Sequence, residues 1–106
     1  VKEAKNMEQM EEPGSSHEPN IPVERVQIGA RMEKKLVKVL KALAEYYDIS
    51  LGDLLEGIVL HAFERKHPFS EETLARIAQL KEVYGMTYDA RASHRLIEHI
   101  SENELS

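Results

Sequence analysis

The chain contains no cysteine and no tryptophan. Without cysteine there is no disulfide framework, no thiolate nucleophile and no cysteine-based zinc site, a composition suited to a reducing compartment. Glycine and proline are also scarce, five and four in 106 residues. The glycines are scattered, so no glycine-rich phosphate loop is present. No run approaches the roughly 18 consecutive apolar residues of a membrane span. The first twenty residues are acidic and polar rather than basic and then apolar, which counts against a secretion signal. The expected location is therefore cytoplasmic, with no membrane partner. Among His17, His61, His67, His94 and His99 no pair has the i, i+4 spacing of a helical metal site. His94 and Glu98 fall on one predicted helix face, which reads as a surface contact rather than a ligand set. There is no Ser/His/Asp order and no P-loop, and abundant carboxylates on solvated helices give no reason to pair two as acid and base. These absences argue against an enzyme, a metal or a cofactor.

What the chain does have is an uneven charge distribution. Fourteen basic residues against nineteen acidic ones give a formal net charge of −5. That total weighs against phosphate binding, which needs lysine and arginine in excess. From Val1 to Pro22, Lys2 and Lys5 face Glu3, Glu8, Glu11, Glu12 and Glu18, a net −3. Pro13, Gly14, Pro19 and Pro22 interrupt any periodic pattern there, so residues 1–22 are predicted to form a disordered acidic tail. Residues 67–106 also sum to −3, with four basic side chains against seven acidic ones. Between them lies a basic stretch: Arg25, Arg31, Lys34, Lys35, Lys38 and Lys41, with Glu33 the one acid from Arg25 to Lys41.

Val26, Ile28, Ala30 and Met32 alternate with Arg25, Gln27, Gly29 and Arg31, the period-2 signature of a short strand with one apolar face. A lone strand cannot satisfy its own backbone groups, and the simplest partner is the same strand of a second copy. The alternatives are that these residues extend the following helix or form a loop. Glu33 to Tyr47 then takes a 3.6 period, with Leu36, Val37, Leu40, Leu43, Ala44 and Tyr47 on one stripe. After a break at Asp48 and Ile49, Ser50 with Asp53 forms a capping-box variant, and Ile49 with Leu54 a hydrophobic staple. The second predicted helix runs from Leu51 to about Lys66. Its Leu51, Leu54, Leu55, Ile58, Val59, Leu60, Ala62 and Phe63 cover more than half its circumference, more than a small monomer can bury, and dimerisation would supply the cover. Pro68 is expected to stop this helix at the preceding residue. Phe69, Ser70 and Leu74 repeat the staple and cap for a third helix to about Tyr84, with Leu74, Ile77, Ala78, Leu80 and Tyr84 inward and Gly85 as its left-handed stop. A fourth, weaker helix is predicted from about Tyr88 to Ile100.

The order within residues 25–66, a short strand, a basic amphipathic helix, the Asp48-Ile49-Ser50-Leu51 turn and a very apolar helix, resembles the ribbon-helix-helix family of MetJ/Arc-type repressors. The resemblance covers about two fifths of the chain. It implies a mostly α fold in which one N-terminal strand per chain pairs antiparallel across a homodimer and lies in the DNA major groove. The dimer core by this resemblance is Val26, Ile28, Leu36, Leu40, Leu43, Leu54, Leu55, Ile58, Val59 and Phe63. Gln27, Gly29 and Arg31 fall at the positions that face bases, with Arg25 just before them. Arg31 could pair with guanine O6 and N7, and Gln27 with adenine N6 and N7. Gly29 departs from the pattern, since it offers no side chain to a base. Ser50 and Leu51, at the start of the second helix, resemble the family's phosphate clamp, although Asp53 would repel an anion there. Lys34 and Lys35 are further phosphate candidates, because basic residues at a helix start oppose its dipole. The implied activity is transcriptional repression through double-stranded DNA, with assembly beyond the dimer left open.

Residues 68–106 lie outside the resemblance as a helical C-terminal extension. They are expected to pack on the core and bury Phe63, Leu74 and Ile77, or else to serve contacts between dimers or with a protein partner. Tyr46, Tyr47, Tyr84 and Tyr88 are read as core or interface aromatics. The rival functional reading is a helical protein-interaction module, such as an antitoxin, whose acidic tail or C-terminal helices bind a basic partner.

Overall fold

A computed structural model describes residues 19–98. Within them three α-helices follow in order, α1 (Lys34–Tyr47), α2 (Leu51–Phe63) and α3 (Glu71–Tyr84), and one 3-10 turn, Ala90–Ala92, comes after them. The described residues are mostly helical. Most of the predicted acidic tail, residues 1–18, and the end of the predicted fourth helix, including His99 and Ile100, lie outside the described residues.

α1 begins where Glu33 caps it. The Glu33 carboxylate accepts the backbone N–H of Lys35 (3.0 Å) and of Leu36 (2.9 Å), two of the donors that a helix start leaves without partners. The segment before it therefore does not extend the helix: residues 19–32 carry no regular structure and are exposed. α2 and α3 start on serine caps, Ser50 Oγ accepting from Asp53 N–H at 3.0 Å and Ser70 Oγ from Thr73 N–H at 3.2 Å.

All three helices end in the same way. Asp48, Arg65 and Gly85 adopt left-handed backbone with φ of 59, 59 and 71°. In each case that residue and the next donate back to carbonyls of the last turn: Asp48 to Glu45 and Ile49 to Ala44, Arg65 to Ala62 and Lys66 to His61, Gly85 to Glu82 and Met86 to Lys81. This is the Schellman motif. It corrects the expected end of the second helix, which stops at Phe63 rather than near Lys66, because the Arg65 and Lys66 amides turn back before Pro68 is reached.

α1 is central: α2 and α3 each pack on it, and their backbones do not approach one another. Leu43, Ala44 and Leu54 form the buried cluster, with Leu40, Tyr47, Ile49, Ile58, Phe69, Ile77 and Leu80 packed around it. Ile49 and Phe69 thus join the core from just before their caps, Ile49 beside its predicted staple partner Leu54, whereas Leu74, the predicted partner of Phe69, is exposed. Val39, outside the predicted stripe, is buried as well. A helix covered on two sides needs a wider apolar face than one stripe supplies, and Val39 with Leu43 at i+4 widens it.

Three expectations for the C-terminal extension are corrected. The predicted fourth helix is a 3-10 turn, because the Asp89 carboxylate accepts Arg91 N–H at 3.0 Å and draws the backbone into a tighter turn, and His94 at φ 67° closes it. His94 and Glu98 accordingly share no helix face. α3 leaves Phe63 79% exposed, since α3 lies against α1 and not against the end of α2. Leu74 and Ala78 are exposed, while Ile77, Leu80 and Tyr84 are half-buried on the side facing α1. No helix among the described residues is long and apolar enough to cross a membrane.

Candidate nucleic-acid interface

Arg25, Gln27, Gly29 and Arg31 all lie in the exposed segment that leads into α1. Both arginines are held by carboxylates. Arg25 donates to Glu56 of α2 through Nε (2.8 Å) and a terminal nitrogen (2.9 Å), a two-point pair that lowers the Glu56 carboxyl below its usual range through hydrogen bonding and charge. Arg31 pairs with Glu98 in the C-terminal segment. Gln27 and Gly29 are exposed, and a Cβ added at Gly29 would meet nothing within 4 Å. Close packing is thus not what places glycine at that position within one chain.

The apolar partners of these residues are also uncovered. Val26 and Ile28 are each 79% exposed. Among the described residues nothing pairs with the backbone of this segment, and no strand forms. On α2, Val59, Leu60 and Phe63 are exposed, the last two by 63% and 79%. Of the residues expected in a dimer core, Leu43 and Leu54 are buried within the chain itself, and Leu36, Leu40, Leu55 and Ile58 are half-buried. The ten therefore divide into an inner set that the monomer covers and an outer set, Val26, Ile28, Val59 and Phe63, that it leaves in water.

Among the phosphate candidates, Lys34 is exposed in the first turn of α1 and Leu51 is half-buried at the start of α2. Ser50 spends its hydroxyl on the Asp53 amide. Lys35 reaches instead to the end of α3, its Nζ donating to the Gly85 carbonyl at 3.1 Å. A cation there complements the negative end of the α3 dipole, so Lys35 stabilises a helix other than its own.

Sequence reasoning does not find Tyr88 and Glu33. The Tyr88 hydroxyl donates to Glu33 Oε1, the same carboxylate that caps α1. Loss of hydration and the adjacent carboxylate push the Tyr88 phenol up to about 12, and the Tyr88 hydroxyl with the two amides holds Glu33 below the usual carboxylate range. A tyrosine on a predicted helix face carries no signal for this pairing, 55 residues apart in the chain. Of the other tyrosines, Tyr47 bonds Thr73 of α3 at 2.5 Å, and Tyr46 lies under the Arg76 guanidinium at 4.2 Å, so both tie α1 to α3.

Compared with known proteins, the chain matches no family model, and no curated protein or solved structure is significantly similar to it.

Proposed function

We propose that the chain is a sequence-specific DNA-binding regulator that acts as a homodimer of the ribbon-helix-helix kind, with residues 25–32 of two copies pairing as the reading ribbon. The observation that carries this reading is the state of that segment. Its alternation is that of a half-buried strand, yet Val26 and Ile28 are exposed and no strand lies beside it among the described residues. A second copy supplies both missing partners, backbone for backbone and apolar face for apolar face.

The elements after this segment give further support. A basic amphipathic helix, a three-residue turn and a Ser50-capped apolar helix succeed it in the required order, and Val59, Leu60 and Phe63 offer an uncovered apolar face on the second helix. The ribbon's polar positions, Arg25, Gln27 and Arg31, then form a basic surface, doubled in the dimer. Repression results from occupancy of the site and needs no chemistry.

The test is to select duplexes from a random library with the full chain and measure binding of the selected sequence. Arg31→Ala should leave helix content unchanged and weaken specific binding by about 1 to 3 kcal/mol, roughly fivefold to 150-fold. Failure to select any sequence, or equal affinity of Arg31→Ala for the selected one, contradicts the reading.

A further inference from the structure

The C-terminal segment after α3 returns to the place where the ribbon segment meets α1, and three contacts fix it there. Lys35 Nζ donates to the Gly85 carbonyl, the Tyr88 hydroxyl to Glu33, and Arg31 pairs with Glu98. The first two hold residues 85–88 against the first turn of α1, and the third brings residue 98 to the last polar position of the ribbon segment. Residues 89–97 are thereby tethered at both ends to the junction of the ribbon segment with α1.

This stretch carries two arginines of its own. Arg91 and Arg95 line an open concavity of about 310 Å³ together with Thr87, Tyr88, Asp89 and Ala92. Asp89 is the one carboxylate in this lining, and Arg91 covers both of its oxygens, at 3.2 and 2.8 Å. Arg95 forms a single long bond, 3.4 Å, to the Arg91 carbonyl and pairs with no carboxylate among the described residues. The concavity thus carries net positive charge, with the planar Arg95 guanidinium unpaired by any carboxylate among the described residues and Thr87 also in the lining.

We propose that residues 87–95 are a second DNA-contacting element, in which Arg95 binds a backbone phosphate flanking the site read by the ribbon while Arg91 neutralises Asp89 beside it. The proposal rests on the DNA-binding reading and extends it to a part of the chain outside the ribbon and its two helices. Phosphate contacts position a protein without reading bases, so this element adds affinity on any duplex and leaves sequence preference to residues 25–31. Its placement at the ribbon junction gives the C-terminal extension a role on the DNA. The pairing of Glu98 with Arg31 means that the same segment gives up one ion pair as Arg31 turns to the duplex.

The experiment measures binding of the full chain to two unrelated duplexes across a salt series, for the wild type, Arg95→Ala and the control Lys66→Ala. Loss of one phosphate contact per protomer should lower the slope of log affinity against log salt by about 0.9 per protomer, equally on both duplexes. Lys66→Ala should leave the slope unchanged. Arg95→Glu, a single exposed substitution, should lower affinity more than Arg95→Ala. A wild-type slope retained by Arg95→Ala overturns this proposal while leaving the ribbon reading intact. So does an equal drop with Lys66→Ala, which would mark a generic charge effect. Absence of any wild-type DNA binding would remove both.

Discussion

Glu33 shows how much one side chain can organise at the junction between the ribbon segment and α1. Its carboxylate satisfies two amides of the first turn and receives the Tyr88 hydroxyl, so a cap and a long-range tie share one acceptor. The carboxyl is lowered in the folded chain, hence its contribution is fully present above the unfolded value near 4.5 and is lost as pH falls through the lower folded value. Tyr88 is raised, so its contribution is present below the ordinary value of 10 and lost as pH climbs toward about 12. Tyr88→Phe should therefore destabilise the fold by about 1 kcal/mol on a plateau from roughly pH 5 to 10, with the difference from wild type shrinking at both ends. Urea unfolding at pH 3, 7 and 11 checks it. A difference that is constant across all three contradicts the assignment.

At the scale of elements, the helix ends are more uniform than their residues suggest. Gly85 announces its turn, because glycine takes positive φ without a Cβ penalty. Asp48 and Arg65 occupy the same conformation and are not glycines. Nothing in an arginine signals a helix stop, and Pro68 three residues on draws the predicted end toward itself. Arg65→Gly removes the left-handed strain of a side chain whose position is exposed, and should stabilise the chain by about 1 kcal/mol. A higher urea midpoint with unchanged slope is the expected result, and no change or a lower midpoint contradicts it. The starts of α2 and α3 are legible in the sequence, because Ser50 and Ser70 with Ile49 and Phe69 before them carry local signals. The fourth helix is not formed, because the Asp89 turn competes with helix through a side chain whose choice periodicity cannot reveal. Val39 escapes the predicted stripe for a related reason: the breadth of the α1 face depends on α2 and α3 both packing on α1, which is tertiary information.

The whole molecule is best understood by which of its apolar surfaces lack cover. One central helix holds two others, and the core so formed is small: Leu43, Ala44, Leu54 and Val39. Around it Val26, Ile28, Leu60 and Phe63 remain more than three-fifths exposed, more apolar surface than a chain this short discards without use. The order of basic segment, helix, capped turn and apolar helix is legible from the sequence. The pairing of Arg25 with Glu56 and of Arg31 with Glu98 is not, since 31 and 67 residues separate the partners. In the proposed DNA complex both pairs would place acidic side chains in competition with the duplex for the same guanidinium groups. On that proposal the net charge of −5 acts locally as well as globally, favouring release from random sequence and requiring a bidentate base contact to displace a carboxylate.

The proposed regulator depends above all on residues 26–32 of two copies pairing with one another. An isotope-filtered NMR experiment on a mixture of labelled and unlabelled full chains measures this directly, because it reports only contacts between copies. Cross-copy contacts between the backbones of residues 26–32 in antiparallel register are expected, accompanied by contacts of Phe63 with its partner. Contacts confined within single copies, from a sample of one-chain mass, would contradict the pairing.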